Sequence, residues 1–306
     1  MSSNKRLSWL KVDGVIGTYT DKDGNLVIQH DGSRTIEAIV NDMGEDPDDV
    51  EEVSGGFKAH DRKSRHRPVP MGVSHGAQDV TAGSTGVLVE KNGVGPFVDT
   101  NLHVAGGKNV EKDEPIDQQG EYDQPEEVGE TLYEYGWLGF YVPINEQVPW
   151  WWRYLNGFLD LINSSVQATF EQQARHDAAL VFAYEEDGVT KEIFGADGYP
   201  DRIEAAPLGT ICTKSGRTTG ITKMEKVSSD WTGTVMEPWG PVTFIDQNLY
   251  KGVNGKSSAG GDSGSTICWD EWSAVDGRLF AGNSKQNITI GNPYDHFAEE
   301  YNVSLY

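Results

Sequence analysis

Apolar and polar positions alternate in short runs along most of this chain, and the runs fall into two blocks. In the first, "VDGVIGTYTDKDGNLVIQH" gives two alternating segments joined at Asp23-Gly24, a hairpin signal. "RTIEAIVNDMG" then sets Ile36, Ile39 and Val40 at helical spacing and stops at Gly44. Residues 9–53 thus predict a small α+β unit. Asp21, Asp23 and Asn25 open like a calcium-binding loop, but Gly32 stands at position twelve, where a glutamate is required, so they predict a turn. The acidic run "EDPDDVEE" (45–52) predicts a solvated connection. "AHDRKSRHRPVP" (59–70) predicts a basic, proline-punctuated linker. The expected organisation is a small unit over 1–58, a linker over 59–71 and a main domain over 72–306.

From Gly72 the character changes. Short β-type runs such as "STGVLVEKNG", "GPFVDTNLHVA", "DAALVFAYEE", "GTICTKSG", "PVTFIDQN" and "GRLFAGNS" follow one another closely, separated by Gly, Asn and Asp turns. That spacing predicts a mainly β, antiparallel barrel or sandwich rather than alternating βα units. Two segments differ. Residues 148–174 carry Leu155, Leu159, Ile162, Val166 and Phe170 at helical spacing, which predicts an inserted amphipathic helix led by Trp150–Trp152. "NPYDHFAEEYN" predicts a closing helix.

Charge narrows the partners. The 306 residues hold 48 acidic against 25 basic side chains, a formal net charge of −23. Phosphate binding needs clustered Lys and Arg, so nucleic acid is not expected as a partner. Such self-repulsion is best tolerated where salt screens it, and a halophilic source is the expectation. No stretch is apolar for long enough to span a bilayer. "MSSNKRLSWLKVDG" lacks the apolar core of a secretory signal, which points to an intracellular or virion-associated protein. With two cysteines only, Cys212 and Cys268, a disulfide-rich secreted scaffold is excluded.

The candidate chemistry centres on "AGGDSGSTICW" (259–269). Glycines packed around Ser263 suit a tight turn whose N–H groups point at a ligand, and equally an ordinary turn. A nucleophilic serine requires a base to take its proton and an acid to orient that base. His103 ends the run "FVDTNLHVAGG", and Asp177 leads a strand of Ala, Leu, Val and Phe, where an unpartnered carboxylate would be costly. His176 is a rival, but neighbouring strand residues face opposite sides, so only one of the two enters a cleft.

The order His103, Asp177, Ser263, with "LHVAGG", "DAAL" and "GDSGS", resembles the trypsin-like (chymotrypsin-fold) serine peptidases. "RHRPVPMGVSHG", "TAGSTGVLVEKNG" and "KSGRTTGIT" are similar to a microbial and viral branch in which a small α+β unit precedes the protease. The resemblance covers most of residues 66–306. It implies a two-barrel fold and a serine endopeptidase acting on polypeptides without metal or organic cofactor. Ser263 would be the nucleophile, His103 the general acid–base and Asp177 its orienting acid, with the Gly261 and Ser263 N–H groups as oxyanion hole. It places the specificity pocket at Ser257, Ala281, Gly282 and Asn283, without an acid at the base. In that class cysteines at the places of Cys212 and Cys268 pair, while two buried free thiols are the plainer reading. Leu102 departs from the family, which has small or amidic residues there. The alternative function is a catalytically silent protease fold acting as a structural or docking protein of a halophilic virion, in contact with neighbouring subunits.

Overall fold

In a computed structural model of the chain the alternating runs become strands, and the sequence divides into two units, Met1–Asp61 and Arg62–Tyr306. The structure describes residues 11–13, 15–20, 26–30, 34–44, 50–54, 61–78, 80, 82–106, 110, 112–124, 133–144, 172–185 and 188–306. In the smaller unit β1 (Val15–Thr20) and β2 (Leu26–His30) form an antiparallel hairpin. Helix α1 (Ile36–Met43) then leads to β3 (Val50–Ser54), which runs parallel to β2, as a helical crossover allows. Ile39, Val40 and Met43 pack on Leu26 and Ile28, and α1 ends at Gly44 in the left-handed region (φ 72°). The 45–52 run is not wholly a connection: Val50–Glu52 belong to β3, because their backbone completes the ladder of β2.

The larger unit holds two curled sheets. The first is built from β5 (Ser74–Ala77), β6 (Gly83–Ser84), β7 (Leu88–Lys91), β8 (Val94–Thr100), β9 (Pro115–Asp117), β10 (Glu134–Tyr141), β12 (Ala179–Ala183) and the C-terminal β21 (Val303–Leu305). Their order is β21-β7-β8-β12-β10-β9-β5-β6. The second holds β11 (Gln172–Ala174), β14 (Arg202–Ile203), β15 (Ile211–Gly216), β16 (Gly220–Glu237), β17 (Gly240–Gly252), β18 (Thr266–Trp269), β19 (Ala274–Asn283) and β20 (Ile288–Pro293). Here β17, β16, β15, β18 and β19 are consecutive neighbours, and β20 pairs with both β19 and β17, so these strands close a barrel without a free edge. The expected mainly β, two-barrel architecture is the one observed.

Strand β12 shows why the middle of the chain is so apolar. Ala179, Val181 and Ala183 face one core cluster while Leu180 faces another, so both sides of the strand are buried. The second cluster joins the two sheets to helix α3 (Tyr294–Tyr301), the expected closing helix, through Tyr294 and Phe297. Through the same junction runs a fully buried ion pair: Arg278 on β19 donates to both carboxylate oxygens of Asp99 on β8. The Phe297 ring lies 4.4 Å from the Arg278 guanidinium carbon.

Two expectations change. The 59–71 segment is no free linker from Arg62 onward. The Arg62 guanidinium donates to the carbonyls of Gly72 (3.0 Å) and Phe194 (2.6 Å), and β4 (Val69–Met71) is buried beside β13 (Val189–Ile193). The basic residues that suggested a linker are partly ties to backbone carbonyls. The predicted helix over 148–174 lies outside the described residues up to 171, and Trp150–Trp152 with it. Its last three residues, Gln172–Ala174, are strand β11, where pairing with Val242–Phe244 overrides the helical period.

Candidate active site

Register brings the first two candidate residues together. Ala179 of β12 pairs with Thr100 of β8, so the residues just before β12 lie beside those just after β8. There the one-turn helix α2 (Leu102–Ala105) carries His103, and Asp177 precedes β12. The Asn101 amide donates to the Asp177 carbonyl (2.8 Å), and the Asp177 N–H donates to Asn292 Oδ1 (3.0 Å). Asp177 Oδ1 accepts the N–H groups of Leu102 (2.8 Å) and His103 (3.2 Å), while Oδ2 bonds His103 Nδ1. Asp177 is fully buried and the His103 side chain is 12% exposed. Burial opposes a charged imidazole, but the Asp177 charge and hydrogen bond, helped by Glu237, outweigh it and push His103 up to about 9.

Ser263 sits on a turn held from several sides. The Asp262 N–H donates to the Ala259 carbonyl (3.0 Å), and Gly261, third in that turn, has φ 92°. A type II turn demands this conformation, and here only glycine also fits: a Cβ would lie 2.3 Å from Arg217 Nη1. The Asp262 carboxylate accepts from Thr219 Oγ1 (2.6 Å), the N–H groups of Thr218, Thr219 and Ala259 (2.9, 3.1 and 2.9 Å) and Lys214 Nζ (3.0 Å). Burial alone would raise its pKa, but Lys214 and these donors hold it below the usual carboxylate range. Ser84 N–H donates to the Ser263 carbonyl (2.7 Å) and Gly264 N–H to that of Leu279 (2.9 Å), pinning the turn between the two barrels. Among the described residues, neither the Gly261 nor the Ser263 N–H has a hydrogen-bonded acceptor.

His103 and Ser263 line one cleft of about 350 Å³, with Glu237, Ser258, Ala259, Gly260, Phe280, Ala281 and Gly282. The Ser263 hydroxyl is turned toward the Phe280 carbonyl (3.4 Å) and makes no hydrogen bond to His103. In a site without substrate such bonds are often open, and rotation about one side-chain torsion redirects the hydroxyl.

The four expected pocket residues fall in different places. Ala281 and Gly282 form a wall, but Ser257 lies behind the cleft, its hydroxyl accepting from Thr289 Oγ1 (2.8 Å), and Ser258 lines the cleft in its place. Asn283 instead shapes the β19–β20 turn by accepting from the N–H groups of Lys285 and Gln286 (3.1 and 3.2 Å). His176 is outside the site, beside Glu300 (3.3 Å) and the rings of Phe297 and Tyr301. Cys212 and Cys268 are free buried thiols. Thr213, not Cys212, is opposite Cys268, so the two thiols point to opposite faces of the sheet and no disulfide forms.

One site residue escaped the sequence reading. Glu237, the last residue of β16, places Oε2 3.8 Å from His103 Nδ1. His103, Asp177 and Glu237 bring metal-ligand atoms within 4.8 Å of one another, but the Asp177 hydrogen bond already occupies Nδ1. The available signal was an acid directly before the Pro238-Trp239-Gly240 turn.

No family model and no curated protein matches this sequence. Among solved structures, the chain is similar to a Nocardiopsis protease at 16% identity and a TM-score of 0.50, covering 78% of this chain and 98% of that one. It is similar to Thermobifida fusca protease A at 17% identity and a TM-score of 0.50, covering 78% and 97%. These neighbours have the chymotrypsin-like fold of serine proteases, and at such identity the likeness establishes the fold alone. Among the described residues no helix is long and apolar enough to cross a membrane.

Proposed function

We propose that this chain is a serine endopeptidase. The observation that carries the reading is a buried Asp177–His103 pair at the same cleft as a serine on a turn with two unused N–H groups. In the reaction Ser263 Oγ forms a bond to the scissile carbonyl carbon and its proton passes to His103 Nε2. The oxygen that takes the negative charge is held by the Gly261 and Ser263 N–H groups. Collapse breaks the C–N bond, His103 returns the proton to the departing amine, and water releases the acyl group by the same path. Asp177 keeps the proton on Nδ1, so that Nε2 is free to act as base.

The cleft supports a preference for substrates with a short, uncharged side chain before the cut. Ser258 Oγ bonds the buried Thr289 hydroxyl (2.6 Å), and it comes within 2.8 Å of where a Cβ on Gly282 would stand. The two walls therefore nearly meet where the Ser258 hydroxyl faces Gly282. Peptide libraries varied at that position are expected to give Ala, Ser or Val at least about tenfold higher kcat/KM than Lys, Arg or Phe. Preference for a long basic or aromatic residue would contradict this pocket. Loss of cleavage in Ser263→Ala is the control that assigns the activity to the site.

The turned-away Ser263 hydroxyl favours a second reading, a catalytically silent docking protein. In either reading a net charge of −23 supports a salt-rich setting, since screening relieves self-repulsion.

A further inference from the structure

Glu237 reaches the histidine on an arm of its own. Strands β16 and β17 form a long hairpin whose last pair is Glu237 and Gly240. At its tip Met236 is 76% exposed, while Glu237 points the other way and is only 7% exposed. The hairpin is docked by apolar contacts: Val242 and Phe244 of β17 pack in one cluster with Phe280 and with Leu102, the neighbour of His103. The rings of Phe244 and Phe280 are 4.5 Å apart. The unusual Leu102 thus has a role as part of the seat for this arm.

The carboxylate so delivered has no obvious structural occupation. Its Oε1 is buried with no hydrogen-bond partner among the described residues, an arrangement that costs stability. Its Oε2 faces His103 Nδ1 from the side of the ring that already carries the bond to Asp177. We propose that Glu237 is a second acidic positioning residue for His103, which stabilises the imidazolium and moves the working range of the site to higher pH. This rests on the peptidase reading of the cleft.

The sign follows from the charges. An ionised Glu237 favours the protonated imidazole, and a protonated imidazole cannot accept the Ser263 proton. The groups facing His103 are Asp177 before β12, Glu237 from the hairpin and neutral Ser263 from its turn. The Arg278 guanidinium, nearby on β19, is matched by Asp99. Glu237 itself is pushed up to about 7 by burial and by Asp177, against the pull of His103. The two titrations are therefore linked across the neutral to alkaline range.

The test is Glu237→Gln, with Glu237→Asp as the conservative variant, read by the pH profile of kcat/KM. The acidic limb is expected to move down by about one pH unit in Glu237→Gln, since an opposite charge at this distance shifts a pKa by about 1–3 units. KM is expected to stay within about twofold, and the aspartate variant to lie between. A purely structural role would lower the melting temperature and leave the limb in place, and that result would overturn the proposal. An NMR titration of the His103 ring in Ser263→Ala gives the same comparison without turnover. If the His103 titration moves with Glu237 but no pH yields cleavage, the coupling stands and the peptidase reading falls. If cleavage occurs and neither readout moves, Glu237 has no such role and the peptidase reading survives.

Discussion

Asp177→Asn is expected to lower kcat by about ten-thousandfold, the size of effect this change has in a Ser-His-Asp triad. The asparagine side chain keeps an oxygen for the N–H groups of Leu102 and His103, which Asp177 Oδ1 now accepts. It presents an NH₂ to His103 Nδ1 where Oδ2 stood. Nδ1 must then accept, the ring proton moves to Nε2, and the atom facing the substrate can no longer take a proton. The imidazolium formed during reaction also loses its buried counter-charge. Peptidase assays at saturating substrate read the effect, with circular dichroism confirming the fold. A variant that kept more than about a tenth of the activity would remove Asp177 from the mechanism.

Lys214→Met is expected to cost about 3–5 kcal/mol of stability, because it strips the cation from a buried carboxylate. Lys214 and Asp262 are both fully buried, 3.0 Å apart. Asp262 is the residue between the two proposed oxyanion donors, so the Gly261 and Ser263 amides are expected to lose their common aim as well. The pH dependence has a definite sign. In the wild type the carboxylate's pKa is depressed, so its contribution is present above the unfolded value of 3.8 and is lost as pH falls through the folded value. Without Lys214, burial dominates and the pKa rises, so the variant is relieved by protonation at higher pH than the wild type. Urea unfolding at pH 7 and at pH 5 should therefore show the gap narrowing on acidification. A gap that widens, or a cost under about 1 kcal/mol, would contradict this account of the turn.

What could be read from the sequence was local. The pairing of β1 with β2, the helix stop at Gly44 and the strand-rich text after Gly72 each depend on neighbours a few residues apart, while Asp23-Gly24 itself lies outside the described residues. The serine turn was legible because glycine is needed where φ is positive, as at Gly261 and Gly264. What escaped depends on register and on long-range docking. Whether Cys212 can meet Cys268 is decided by which residue of β15 lies opposite β18, and a one-residue offset sends the thiols to opposite faces. The same sensitivity put Ser257 behind the pocket and Ser258 in it. Arg62 was read as part of a linker because composition does not reveal that its guanidinium binds carbonyls of distant segments. Glu237 was missed because a hairpin far from His103 in sequence carries it there, anchored by Phe244 against Phe280 and Leu102. The large residues at 102 and 280 were visible, but their partner was not.

Covalent capture of Ser263 reads the nucleophile itself. Folded protein would be treated with a fluorophosphonate between pH 7 and 10, at low and molar salt, and the modified residue located by peptide mass spectrometry. One phosphonylated residue, Ser263, is expected, with a rate that rises as His103 loses its proton and that vanishes in His103→Ala. Unmodified Ser263 throughout that range, in protein shown to be folded, would contradict the peptidase reading.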